Sequence, residues 1–331
     1  MEQPASLYER VIARPQPVWV KVSVSIVVLL LPFAVAYLSG MAGELTSSGL
    51  WRYMLLTPSI ILYIWLGSPL LNNQSKEVMR SLRAISALDD ESYSALLSKT
   101  QTIKPRNEWI AIGCGAIVGL AINRTNDFSE AGILFQVYWT LSMVVMYALM
   151  AWIIYLSVAS TRTGDALLRQ PLHINLFNPA PFEAIGRQGL MLAMMFIGGI
   201  TLSLIFSFRW ENLTQPMFWV IYLVLVLVTL LIFFVSMRPA HHVLVMHKEI
   251  ELLGVRRNIE RLGRELMQHM QDKQDAGKTA AEFNALAAYE GRIQAARTWP
   301  YNTNMLRTLF FSFLVPLGSF LVKTAIDLVL P

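Results

Sequence analysis

The sequence predicts an all-α fold: a polytopic transmembrane helix bundle of seven spans, N-terminus in and C-terminus out, with a cytoplasmic antiparallel helical hairpin before the last span. Three observations predict it. The 331 residues are 55% hydrophobic and only 15% charged, with a mean hydropathy of +0.47, whereas soluble domains carry about 25% charged residues. The apolar residues gather into runs near the roughly 20 residues that a helix needs to cross the hydrocarbon. The basic residues fall on alternate connections between those runs.

Six runs have the length: Val18–Leu38, Tyr53–Leu71, Ile133–Ser157, Leu190–Phe208, Met217–Met237 and Leu306–Leu330. Trp109–Ile122 is shorter, and it counts as a span because the charge pattern closes only with it. Its Gly115 and Gly119 form a small-xxx-small pair, a face that lets another helix approach closely. Of the 27 basic residues, Arg52, Arg124 and Arg209 fall in outer loops and Lys21 and Lys323 within spans, and all the others lie in inner segments. This bias also accounts for the net charge of +5, so nucleic acid is not a partner. Ala34-Val-Ala36 would suit a cleaved leader, but the run continues through Leu38, as a retained span does. The plan is that of a multi-pass protein of the plasma (inner) membrane, with the lipid bilayer as its first partner.

The chain divides into a six-span bundle over 1–237 with a helical inner loop at 72–108, a cytoplasmic hairpin at 238–304 and a seventh span at 305–331. In the first inner loop, Val78, Leu82, Ile85 and Leu88 recur at helical spacing. Asp89 then caps a short helix carrying Tyr93, Leu96 and Leu97. The connection from Arg162 to Arg187 is broken by Pro171, Pro179 and Pro181 and is apolar at Leu172, Ile174, Leu176 and Phe177; it reads as a segment packed under the bundle, with a gate or docking loop as the alternative. In the hairpin, Leu252, Val255, Ile259, Leu262 and Leu266 step by three and four, a coiled-coil seam. Thr279-x-x-Glu282 reads as a capping box opening the return helix, whose apolar positions are Phe283, Leu286 and Ile293. That seam joins the two arms of one chain or joins subunits. Pro239 is a place for a kink between span and hairpin.

Chemistry is sparse. Cys114, the one cysteine, reads as a small packing residue. His241, His242 and His247 lack the i, i+4 spacing of helical metal ligands, so no metal is expected, and no phosphate, dinucleotide or nucleophile-elbow motif calls for a cofactor or a catalytic residue. Lys323 and Asp327 are four apart on the last span and share a face; they read as snorkelling residues or a structural ion pair or, with Pro316 and Gly318 a turn below, as the candidates for a pore or polar path.

Seven spans, a sixth that runs into inner helices and a last span that returns from them resemble the insect odorant and gustatory receptor superfamily of tetrameric channels. The corresponding segments are Val243–Met270, Ala280–Thr298 and Leu306–Leu330. The resemblance implies that the last span lines a pore and that the inner helices anchor subunits. It lies in the plan, since Met305–Leu330 lacks the Tyr and Gln of the gustatory signature. The expected function is a non-enzymatic, homo-oligomeric channel-like or sensor protein. The alternatives are a scaffold that docks a cytoplasmic protein partner through the hairpin and, with support only from the apolar stretch His173–Phe177, a lipid-acting membrane enzyme.

Overall fold

The computed structural model describes residues 17–41, 43, 50–100, 105–123, 132–207, 216–272 and 275–329, with the helical backbone alone over 319–329. These form nine helices: α1 (Val18–Leu38), α2 (Leu50–Ile85), α3 (Asp90–Thr100), α4 (Pro105–Asn123), α5 (Ile133–Leu168), α6 (Ala180–Ser207), α7 (Pro216–Gln271), α8 (Gly277–Ala295) and α9 (Thr303–Val329). Helices α1, α2, α5, α6 and α7 are long and apolar enough to cross a membrane. Their outward faces carry side chains such as Leu30, Leu31, Val137, Leu141, Leu227 and Leu231. A bundle whose surface is this greasy fits lipid as its solvent, and within lipid close packing holds helices together better than apolarity does.

The pair α4 and α5 shows how. Gly115 and Gly119 face α5, where a Cβ at Gly115 would sit 2.8 Å from both Ala148 Cα and Ala151 Cβ, and one at Gly119 2.9 Å from Met143 O. Glycine is therefore what lets the two backbones touch. Asn123 donates to Thr140 Oγ1 at 2.9 Å at one end, and the Trp152 indole donates to Glu108 Oε1 at 3.2 Å at the other. The two helices are thus antiparallel and in contact along the whole of α4. Cys114 differs from expectation: it is exposed, on the side of α4 turned away from this contact.

Two helices are longer than their apolar runs. Helix α2 carries its span into the amphipathic stretch without a break, and the 56-residue α7 passes Pro239 and the boundary at 237 as one helix, about 84 Å long at about 1.5 Å per residue. The return helix also starts differently. It begins at Gly277 rather than at Thr279, because the Asp275 carboxylate accepts the Gly277 N–H at 2.9 Å and turns the chain two residues earlier. Thr279 lies inside the helix, its hydroxyl 3.4 Å from His269 Nδ1. No capping box forms.

At the end of the bundle bearing α3 and α8, here labelled the inner end after the sequence expectation, three connections form one core. Val78 and Leu82 of α2, Tyr93 of α3, Leu167 of α5, Leu176 of the following loop, Phe182 of α6, Leu244 and Val255 of α7 and Ile293 of α8 belong to a single buried cluster. Asp89 accepts the Ser92 N–H at 3.3 Å and starts α3; the Ser92 hydroxyl first, and then this backbone bond, hold its carboxyl below the usual range. Arg83 pairs with Asp90, donates to Leu88 O at 2.8 Å and lies 4.7 Å over the Tyr93 ring. The loop after α5 joins through Ala87 N–H to Pro171 O at 3.0 Å and His173 N–H to Ile85 O at 2.7 Å.

Substituting Gly115→Ala should destabilise the bundle by about 1–3 kcal/mol, as overpacking does. A lower thermal midpoint in detergent would show it, and Gly113→Ala, which meets open space, should leave the midpoint unchanged or raise it.

Candidate functional site

Between α2, α5, α6 and α7, just above the inner core, lies a cavity of about 350 Å³. On α5 its wall is Ser157, Ser160, Thr161 and Gly164, spaced i, i+3, i+4, i+7 and so on one face. On α2 it is Ser68, Asn72 and Ser75, one turn apart. Gln188 and Gly189 of α6 and Ser236 of α7 complete the polar lining, and Leu71, Met79, Ile153 and Leu156 are among the apolar residues. Gly189 matters sterically: a Cβ there would collide with Ser236 Oγ, so glycine admits α7 to the site.

The hydroxyls have a common direction. Ser68 donates to Trp65 O at 3.0 Å, Ser157 to Ile153 O at 2.8 Å, Thr161 to Ser157 O at 2.9 Å, Thr163 to Ala159 O at 3.1 Å and Ser236 to Phe233 O at 2.8 Å. Each spends its one proton on its own helix, which is how a hydroxyl is tolerated in an apolar bundle. Ser160 is the junction: its Oγ lies 2.5 Å from Ser75 Oγ and accepts from Gln188 Nε2 at 2.7 Å, tying three helices together. Below it Arg187 of α6 pairs with Glu77 of α2 at 2.6 Å. At the rim stand Lys76, exposed, and Asp165, whose Oδ2 takes both Arg169 Nη2 at 2.8 Å and Arg169 Nε at 3.1 Å.

The hairpin closes within the chain. Val255, Leu262 and Ile293 are buried, Leu252, Ile259 and Leu286 pack against the inner core, and Leu266 and Phe283 are half-buried, with Phe283 within reach of Gly263. Lys248 of α7 donates to Gln294 O at 2.7 Å and Ala296 O at 3.0 Å, so it satisfies carbonyls that the end of α8 leaves open. Arg256 pairs with Glu290 at 2.8 Å. Tyr289 donates to Glu251, which together with slight burial raises its phenol above the usual range. His241 stacks on Trp299, centroids 3.9 Å apart, with Nδ1 3.0 Å from Thr298 O, and so pins the strap between α8 and α9 to α7. Among the described residues no group of three His, Cys, Asp or Glu is placed to hold a metal.

Of the pore candidates, Gly318 lies in α9 with open space around its Cα, while the side chains of Pro316, Lys323 and Asp327 lie outside the described residues. Sequence reasoning missed both the cavity and Glu108, whose side chain is wholly buried against Trp152. The available signal for the cavity was the polar stripe Ser157, Ser160, Thr161, Gly164 at helical spacing, hidden where the apolar run fades. Comparison with known protein families, curated proteins and solved structures finds no match.

Lys248→Met should leave Gln294 O and Ala296 O without this donor and cost about 1 kcal/mol. Faster amide exchange confined to the last turn of α8, with the bundle unchanged, is the expected readout.

Proposed function

We propose that this chain is a membrane-embedded, non-enzymatic sensor: a seven-span protein of the plasma (inner) membrane, N-terminus in and C-terminus out, that holds a small molecule in the hydroxyl-lined cavity and reports its presence through the inner hairpin. The observation that carries the reading is α7. One unbroken helix contributes Ser236 and Pro239 to the cavity wall and, thirteen to thirty residues on (roughly 20–45 Å at the usual rise), the seam of the hairpin.

Several features support the seven-span plan. Five helices have the length and apolarity alone. Helix α4 lies along α5 over 19 residues, about 28 Å, close to the hydrocarbon thickness, and α9 has 27 residues. The connections that carry most of the basic residues pack together at one end. At the other, Gly132 lies against Ser39, which brings two outer connections side by side. The orientation itself rests on charge: lysine and arginine favour the cytoplasmic side.

A second reading, a docking scaffold, draws on Met246, Ile250 and Leu253. They are exposed at i, i+4 and i+7 on α7, on the face not covered by the return helix. The same stripe is the best described surface for the homo-oligomer that the sequence suggests. Native mass spectrometry of Ile250→Ser/Leu253→Ser separates these: loss of a multimer assigns the stripe to a second copy, and an unchanged mass leaves it to a cytoplasmic protein partner. The conducting form of the proposal rests on Lys323 and Asp327.

The sensor reading is tested by filling the cavity. Gly164 lines it and has open space where a Cβ would go, so Gly164→Leu should occupy the site without unfolding the protein; removing a helical glycine helps by about 0.5–1 kcal/mol. Hydrogen exchange over 277–295 should change at least threefold. Unchanged exchange in a folded variant would overturn the reading.

A further inference from the structure

The walls of the cavity say what kind of molecule belongs in it. A hydroxyl has one proton and two lone pairs. Ser68, Ser157, Thr161 and Ser236 each direct that proton to a carbonyl of their own helix. What they have left to offer is lone pairs. Ser75 and Ser160 share one hydrogen bond between two hydroxyls, and Ser160 also accepts from Gln188, so this pair keeps one proton to offer. The hydroxyls of Ser68, Ser157, Thr161 and Ser236 therefore offer mainly lone pairs, which suit a ligand that brings donors, while Asn72 and Gln188 add amide protons beside them.

Charge at the rim adds direction. Asp165 commits Oδ2 to Arg169, and among the described residues Oδ1 has no hydrogen-bond partner. Lys76 also has no hydrogen bond or ion pair among the described residues, so its three protons face an anion or water. An accepting wall with a carboxylate beside it and an ammonium at the same mouth suit opposite ends of one molecule. Between them the surface is apolar, formed by side chains such as Leu71, Met79, Ile153 and Leu156. The volume, about 350 Å³, is at the small end for ligand pockets and has room for about ten waters. That suits a small molecule better than a peptide or a whole lipid.

We propose that the cavity binds a small zwitterion of the amino-acid type, its protonated amine on the hydroxyl wall and Asp165, its carboxylate at Lys76 and its apolar body between the helices. This rests on the sensor reading and names its ligand class.

The probes are L-leucine and its two truncated relatives, 3-methylbutylamine, which lacks the carboxylate, and 4-methylpentanoate, which lacks the amine. Each is titrated into the full-length chain in nanodiscs by calorimetry, with the thermal midpoint as a second measure. Leucine should bind at least tenfold more tightly than either relative, since a hydrogen bond to a charged group is worth roughly a factor of ten or more. Lys76→Gln should weaken leucine about tenfold and leave 3-methylbutylamine unchanged or improved. Asp165→Asn should weaken leucine and the amine alike and spare 4-methylpentanoate. Lys76 is exposed, so Lys76→Gln should keep its midpoint without ligand and remains readable if Asp165→Asn does not fold. Equal binding of leucine and the amine, with Lys76→Gln silent, would overturn the zwitterion and favour a simple cation. Preference for 4-methylpentanoate would overturn it in favour of an anion. No binding of any of the three overturns it as well, while the Gly164→Leu exchange experiment judges the sensor reading separately.

Discussion

Leu82, Phe182, Leu244 and Ile293 come from four different helices and meet at the inner end of the bundle, each almost wholly removed from solvent. The rest of the architecture depends on this meeting. Along the spans, burying an apolar side chain against another helix gains only the difference between protein and lipid contacts, which is small. At the inner end, beyond the apolar runs and beside Arg83, Glu77 and Lys248, the alternative is water, and each buried side chain of this size contributes about 1.5–3 kcal/mol. The inner core is thus where the hydrophobic effect acts at full strength. It fixes the loop after α5, the short helix α3 and the hairpin in one place, and it sets the lower ends of α2, α5, α6 and α7.

Fixing those lower ends also shapes the cavity. Above the core the four helices cannot close completely, because the α5 and α2 faces there carry hydroxyls rather than large apolar groups. The hydroxyls are tolerable since most of them satisfy their protons on their own helices. Ser75 and Ser160 are the exceptions, and their pair, joined by Gln188, bridges α2, α5 and α6. Helix α7 then links this space to the hairpin as one helix, since Pro239 lies within it and does not end it. On the proposed reading, a ligand in the cavity and the hairpin below it bear on the same helix.

Much of this was legible in the chain. The spacing of Val78, Leu82, Ile85 and Leu88 falls on residues that the core buries or packs, as do Leu252, Val255 and Ile259 within the three-and-four step from Leu252 to Leu266. Periodicity is a local property, so sequence carries it. Whether α2 and α7 continue past their apolar runs is also local, yet falling hydropathy there marks the edge of the lipid and not the end of the helix. The choice of Asp275 over Thr279 as the initiating side chain turned on a two-residue difference in where the chain reverses. The cavity was illegible for a different reason. It exists only where stripes from separate helices face one another, and each stripe alone looks like a span losing its apolar character. Glu108 was hidden likewise, since its burial depends on Trp152, 44 residues away.

The central claim is that the hairpin and the inner connections are one cooperative body with the base of the bundle. Native-state hydrogen exchange of the full-length chain in nanodiscs tests it most directly, by comparing 78–85, 90–97, 243–262 and 282–293 as denaturant is raised. If they share one core, the slowest amides of all four segments should open together, with a common free energy and a common denaturant dependence. If 243–262 and 282–293 open at far lower cost while 78–85 stays protected, the hairpin is an independent appendage and the account of its coupling to the cavity fails.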